Sequence, residues 1–370
     1  MTAMTDIPAA LADQPFYTGT LPWLRDRTIL LVTHGSHAYG LNTPTSDIDL
    51  KGVAIPPREY FLGYLQRFEQ AEGKDPYDLV VYDIRKFFNL AAECNPNIIE
   101  VLWADESTFQ ILTPAGRRMV EARQLFLSKK ARFTFAGYAH AQLKRIQLHH
   151  RWLRSPPSHK PTRAEFSLPE RTLIPADQLA AAQAAIQKKL DRWNLDDMSG
   201  LDPATRLAVQ EAMAAQLAEI QVTSEQLWQS AARTLGFDEN FIALLDRERQ
   251  YTGRQRDWEQ YQSWKENRNP KRAELEARFG YDTKHGMHLV RLMRMCKEIL
   301  ETGHVSVKRD DRDELLAIRN GAWSYDQLIA WAAEQEQGMD ELYKKAPLPH
   351  APDRKKLDQL CIDLVEEALR

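Results

Sequence analysis

The chain is poor in cysteine. Its three cysteines, Cys94, Cys296 and Cys361, lie far apart in 370 residues. No pair has metal-site or redox spacing, and an odd count argues against a disulfide framework. Long apolar runs are also missing: no stretch approaches the roughly 18 residues that a membrane span needs. Around Asp6 and Asp13 there is no basic segment followed by an apolar run, so no signal peptide is expected and a cytoplasmic location follows by default. Strong net charge is absent too. The balance of 49 basic and 52 acidic residues is -3, so the chain as a whole does not advertise a polyanionic partner. No internal repeat is visible. What is present is an ordinary globular composition, 43% hydrophobic and 27% charged, enough for a sizeable core. The length favours two or three domains.

The first 26 residues read as a lead-in with Pro8, Pro15 and Pro22. Thr28-Ile-Leu-Leu-Val-Thr33 reads as a buried strand ending at Gly35-Ser36. Asp47-Ile-Asp-Leu-Lys-Gly-Val-Ala-Ile55 reads as a second strand, closed by Pro56-Pro57, and Tyr77 to Tyr82 as a third. At Asp83 the period turns helical: Asp83 is a good N-cap, followed by Ile84, Phe87, Phe88, Ala91 and Ala92. Ile98–Trp103 and Gly116–Leu127 read as further helical pieces, and beyond about residue 115 the chain reads as helical. The Ala/Gln/Leu/Glu-rich stretch 176–235 suggests two long helices broken near Ser199-Gly200 and Asp202-Pro203, and 270–370 holds at least three more. The expected class is α+β: a small mixed-sheet domain followed by a large helical region.

Chemistry concentrates in His34-Gly-Ser-His-Ala-Tyr-Gly-Leu-Asn-Thr-Pro-Thr-Ser-Asp-Ile-Asp-Leu50. Gly35 lets backbone approach a ligand closely, and Ser36 adds a hydroxyl and an N–H. A short helix starting there would present free N–H groups to a triphosphate. Asp47 and Asp49 are two apart on the expected strand, so both carboxylates face one side while Ile48 and Leu50 face the core. Two adjacent acids are costly without compensation, and hard oxygen ligands suit Mg²⁺. Asp78 is the best third carboxylate. Asp83 is the rival, but its cap role already explains it.

This segment resembles the signature of the DNA polymerase β nucleotidyltransferase superfamily: Gly-Ser, a spacer of ten residues, Asp-x-Asp, then a carboxylate on a neighbouring strand. Gly35-Ser-His-Ala-Tyr-Gly40, Arg85-Lys-Phe-Phe, Asn95-Pro-Asn-Ile-Ile-Glu-Val-Leu102, Lys284-His-Gly-Met-His-Leu-Val-Arg291 and Ala317-Ile-Arg-Asn-Gly-Ala-Trp-Ser-Tyr325 resemble a group of bacterial and phage nucleotidyltransferases associated with RNA ligases and RNA repair. His37 departs from the arginine of many relatives. The resemblance implies two Mg²⁺ ions, with Mn²⁺ as a substitute, on Asp47, Asp49 and Asp78, and an NTP held by Gly35, Ser36, His37 and Ser46. It places Lys284, His288 and Arg291, which share a helical face by their spacing, across the cleft. The expected division is a catalytic domain over 27–125, a basic helix with an added helical module over 126–270, and a C-terminal helical domain over 271–370 closing the NTP cleft.

Between Glu121 and Glu165 there is no acidic residue, and ten Lys/Arg occur there. On a helical wheel Phe135, Ala139, Ile146 and Leu153 form an apolar face, opposite His140, Lys144 and Arg151. Lys144, Arg145, Arg151 and Arg154 are candidate RNA contacts, with Trp152 as a stacking platform. A solvated face would look the same. The leading expectation is NMP transfer from an NTP to an RNA 3′ end. Nucleotidylation of a protein side chain, modification of an aminoglycoside-like acceptor and non-catalytic RNA binding are the alternatives.

Overall fold

The computed structural model describes residues 21–74, 77–172, 174–193 and 224–370. The proposed lead-in over 1–20 and the break near Ser199-Gly200 and Asp202-Pro203 lie outside these residues. In order, the elements are α1 (Leu24–Arg27), β1 (Thr28–His34), α2 (Gly35–Ala38), β2 (Asp49–Ala54), α3 (Glu59–Leu62), β3 (Gln70–Gly73), β4 (Asp78–Asp83), α4 (Ile84–Ala92), α5 (Pro96–Leu102), β5 (Phe109–Leu112), α6 (Pro114–Glu121) and α7 (Ala131–Arg154). They continue with α8 (Ala176–Trp193), α9 (Ser224–Thr234), α10 (Glu239–Glu266), α11 (Pro270–Phe279), α12 (Thr283–Thr302), α13 (Arg312–Arg319), α14 (Tyr325–Lys345) and α15 (Arg354–Leu369).

The five strands form one mixed sheet in the order β3-β4-β2-β1-β5. β2 runs parallel to β4, and the other neighbouring pairs are antiparallel. All seven residues of β1 are buried, because both faces of the sheet are covered there. Leu30, Val32 and Val53 join the large core on one face, together with the apolar stripes of α4, α5, α7 and α12. Leu31, Leu50, Leu79 and Val81 point the other way, into a smaller cluster with Leu24 and Phe68. The alternation expected for a strand therefore decides which face carries the acids. The fold is α+β, as the sequence implies.

Local chemistry fixes the helix starts. Asp83 caps α4 by accepting from the backbone N–H of Arg85 at 2.8 Å and of Lys86 at 3.4 Å. Asp282 caps α12 through the N–H groups of Lys284 (2.9 Å) and His285 (3.2 Å). Ser324 and Gln327 form a capping box on α14.

Contacts divide the chain into two units: the chain to Arg154 with Asn269–Arg370, and Ser155–Arg268. The sequence pattern groups the basic helix α7 with the segment after it. In the structure its Phe135, Ala139 and Ile146 join the large core with residues of α12, so it belongs to the first unit. The second unit packs α8, α9 and α10 around Ile186, Trp228, Ala231, Ala232, Ile242 and Leu245. A bidentate pair, Arg163 to Glu248 at 3.0 and 2.5 Å, adds to it.

β2 begins at Asp49, so Asp47 sits in the irregular run leading into the strand rather than on it. β3 and β5 were not legible: each is four residues long, and Gln70-Ala-Glu-Gly73 shows little apolar signal. Gly116–Leu127 resolves into α6 and a 3₁₀ turn over Arg123–Phe126.

Candidate active site

A cleft of about 710 Å³ opens in the first unit where the ends of β1, β2 and β4 face α7 and α12. Gly35, Ser36, Ser46, Asp47, Asp49 and Asp78 all line it. Gly35 has φ +63°, and a Cβ there would overlap the Asp49 carboxylate, so glycine meets both a conformational and a steric requirement. Parallel pairing sets Asp49 directly opposite Asp78 in register. Ser46 Oγ accepts from Thr43 N–H at 2.9 Å, holding the turn that delivers Asp47. Asp49 titrates above its usual range, first because it is buried and, among charges, because Asp78 repels the ionised form against the pull of His34, Lys51 and Lys284.

Lys51 follows two residues after Asp49 on the same face and also lines the cleft. On the facing side are Lys284, Arg272 and Arg319. Burial lowers the Lys284 pKa, and repulsion from Arg272 and Arg319 adds to this. Four cationic side chains thus border the carboxylates. Three of them, Lys51, Arg272 and Arg319, were not picked out from sequence. Strand alternation from Asp49 would have found Lys51, whereas Arg272 carried no local signal.

Part of the cleft lining is a buried polar cluster. Glu100, on α5, accepts from Arg291 Nη1 at 2.6 Å and from the Tyr39 hydroxyl at 2.5 Å. His34 Nε2 stands 3.3 Å from the same carboxylate, without the alignment of a hydrogen bond. The Arg291 guanidinium lies 3.7 Å over the Tyr39 ring. Burial alone would raise the Glu100 pKa. Arg291, with His34 and Tyr39, outweighs it and holds the carboxyl well below the usual range. The 35–41 turn is held from the helical side as well: Arg309 N–H donates to the Tyr39 carbonyl at 3.1 Å, and Arg312 donates to that of Gly40.

Several expectations need correction. Arg291 lines the cleft, but its charge is committed to Glu100 at 2.6 Å. His288 is not a cation: burial, then Arg291 and Lys284, push its pKa down to about 3. Of that face, Lys284 lines the cleft beside Arg272 and Arg319 and has no ion-pair partner among the described residues. His37 is not among the lining residues, and its Nε2 is buried without a hydrogen-bond partner among the described residues. Trp152 is buried at 3% exposure and stacks on His149 with ring centroids 5.5 Å apart, so it is no open platform for a base. Lys144, Arg145, Arg151 and Arg154 are exposed along α7. Other charges of the tract are structural: Lys130 pairs with Glu93 at 2.7 Å and Arg132 with Glu336 at 2.5 Å. Lys129 is buried and donates to the Lys344 carbonyl at 3.1 Å.

Among the described residues, no group of three or more His, Cys, Asp or Glu side chains is gathered tightly enough to hold a metal ion. The donor chemistry nonetheless fits a hard divalent cation. Asp49 and Asp78 set hard oxygen donors abreast on neighbouring strands, and both line the cleft. The three acids share one cleft without converging.

Residues 19–157 match the family described as RlaP: RNA repair pathway DNA polymerase beta family. That segment contains Gly35, Ser36, the three aspartates, Glu100 and α7, and its match is to an RNA-repair, polymerase-β-type family, in line with the resemblance of its motifs. An uncharacterized 38.9 kDa protein in the nrdC-mobD intergenic region of Enterobacteria phage T4 is 32% identical over 85 residues, covering 20% of this chain and 25% of that protein. The uncharacterized protein YcgL of Bacillus subtilis strain 168 is 22% identical over 120 residues, covering 32% of this chain and 46% of that protein. The chain therefore spans less than half the length of either relative. No solved structure matches.

Proposed function

We propose that the protein transfers a nucleoside monophosphate from an NTP to a hydroxyl, with release of pyrophosphate, and that the acceptor is the 3′ end of an RNA. The observation that carries this reading is the register pair Asp49–Asp78 beside the Gly35-Ser36 turn, faced across the cleft by Lys284, Arg272 and Arg319. Acids on one wall and cations on the other are what in-line phosphoryl chemistry requires, since catalysis there is mainly positioning and charge neutralisation. Asp47, Asp49 and Asp78 would hold Mg²⁺, which when bound neutralises phosphate charge and makes a hydroxyl a better nucleophile. The chain's own groups do the rest. Ser36 offers its hydroxyl and N–H to phosphate oxygens, and Gly35 leaves them room. Lys284, Arg272 and Arg319 attract the triphosphate. Glu100, by gripping Arg291 and Tyr39, ties α12 to the turn that follows Ser36. The exposed Lys144, Arg145, Arg151 and Arg154 supply a track for a polyanionic acceptor.

The test is to incubate the protein with Mg²⁺, each α-labelled NTP in turn, and pooled cellular RNA and protein. Label is expected at RNA 3′ ends and absent for the double variant Asp47→Asn/Asp49→Asn, with RNA binding retained. An active double variant would remove the site assignment. Label on protein would replace the RNA acceptor with a side chain.

A further inference from the structure

The cleft wall away from the acids is of a different character. Tyr138 and Gln142 sit one turn apart on the same face of α7, and both line the cleft with Val80, Tyr82 and Pro96. Tyr138 is 39% exposed, and its hydroxyl accepts from Asn95 Nδ2 at 3.3 Å, which holds the ring in place. Gln142 Oε1 is buried and has no hydrogen-bond partner among the described residues. Such an atom calls for an explanation, because a buried acceptor forfeits its hydration without return.

Helices α7 and α12 run antiparallel: Cys296 lies against the Ala131 and Arg132 carbonyls at one end, and His150 against the Gly280 carbonyl at the other. From α12, His285 lines the same cleft, and its Nδ1 is likewise buried and unpartnered among the described residues.

Val80, Tyr82, Pro96, Tyr138 and Gln142 bring no positive charge to this wall, so it is not a second triphosphate subsite. It asks for a flat, largely apolar group that carries a donor. We infer that this wall is a nucleobase subsite, in which Tyr138 stacks on the base and Gln142 Oε1 accepts a hydrogen bond from its exocyclic amino group. The inference rests on the nucleotidyl-transfer reading and deepens it: the NTP is one whose base sets an amine beside an unprotonated ring nitrogen on its Watson–Crick edge, adenine or cytosine. A glutamine amide is well shaped for this, since its oxygen accepts from an amine while its NH₂ serves the neighbouring ring nitrogen.

The test compares nucleotides that differ at that one group. Equilibrium binding of ATP against ITP, and of CTP against UTP, is measured with Mg²⁺ and no acceptor, using the full chain and its Gln142→Leu variant. Leucine is close in size and removes the unpaired oxygen, so the variant should melt at or above the wild-type temperature. At least one amino nucleotide should bind about ten-fold more tightly than its keto counterpart. In Gln142→Leu that ratio should collapse to about two-fold or less, through loss of the amino nucleotide's advantage. An unchanged ratio in the variant, no amino preference in wild type, or a preference for the keto base would overturn the inference while leaving nucleotidyl transfer standing. Sensitivity of the variant to ribose against deoxyribose instead would reassign Gln142 to the sugar and overturn it equally. If no nucleotide binds at all, the transfer reading itself fails and takes this one with it.

Discussion

Arg291 and Glu100, 191 positions apart in the chain, meet at 2.6 Å where side-chain exposure is 6% and 1%. The pair joins the long helix α12 to α5, and Tyr39 completes the junction from the turn that follows Ser36. A buried charge left alone is far costlier than a buried pair. Arg291→Met should therefore lower unfolding stability by about 3–5 kcal/mol in urea titration. Replacing Glu100 with Gln in the same chain should recover part of that loss, because the stranded carboxylate is gone. Equal stability of the wild type and Arg291→Met would mean that the pair contributes nothing.

Gly35→Ala asks an alanine to adopt φ +63° and to push aside the Asp49 carboxylate. The backbone strain should cost roughly 1–3 kcal/mol, and displacement of a central carboxylate should cut transfer by roughly 100-fold. Thermal melting and single-turnover label transfer read the two effects separately. An alanine variant with full activity would show that the turn tolerates a side chain.

Chelation separates binding from chemistry. EDTA should abolish label transfer and leave RNA retention on a filter unchanged, and added Mg²⁺ or Mn²⁺ should restore transfer. Loss of RNA binding under chelation would instead make the ion structural.

Two classes of residue on α7 should behave oppositely. Alanine at Lys144, Arg145, Arg151 or Arg154 should weaken RNA binding and reduce the salt dependence of log K by about one unit of slope for each phosphate no longer neutralised. Trp152→Ala, at a buried site, should leave that slope alone and cost about 3–5 kcal/mol of stability. An RNA defect in a fully stable Trp152 variant would restore the tryptophan as a base platform.

Asp311 gives a dependence on pH. Burial would raise its pKa, but hydrogen bonds from Arg309 at 2.8 Å and Arg294 at 2.7 Å win and hold it below its usual range. A folded-state pKa lower than the unfolded one means stability that is present above the unfolded value and lost as pH falls through the folded value. Asp311→Asn should be less stable than the wild type at pH 7, and the gap should close below about pH 4, where the unfolded carboxyl takes up its proton. A gap that persists at low pH would assign the effect to packing rather than charge.

How far the site could be read follows from the distance over which each cause acts. Gly35, Ser36, Asp49 and Asp78 are legible because strand period and turn chemistry are local; Asp47 lines the cleft with them, though from the run before β2 rather than from the strand. The caps at Asp83 and Asp282 obey rules that act over three residues, though only the first stands out in the sequence pattern. β3 and β5 escaped notice because four residues carry too little periodicity to outweigh chance. His288, Arg291 and Trp152 differ from the expectation for another reason. Spacing says which residues share a helical face, but not what that face meets. Glu100 takes up the charge of Arg291, burial keeps His288 neutral, and His149 covers a face of Trp152. The sequence by itself determined the α+β class, the acid-bearing strand face and the Gly-Ser turn, since backbone geometry and side-chain period decide these within a few residues. Only the tertiary structure decided which cations face the acids and which are spent elsewhere, because charge and exposure depend on partners brought together from distant parts of the chain.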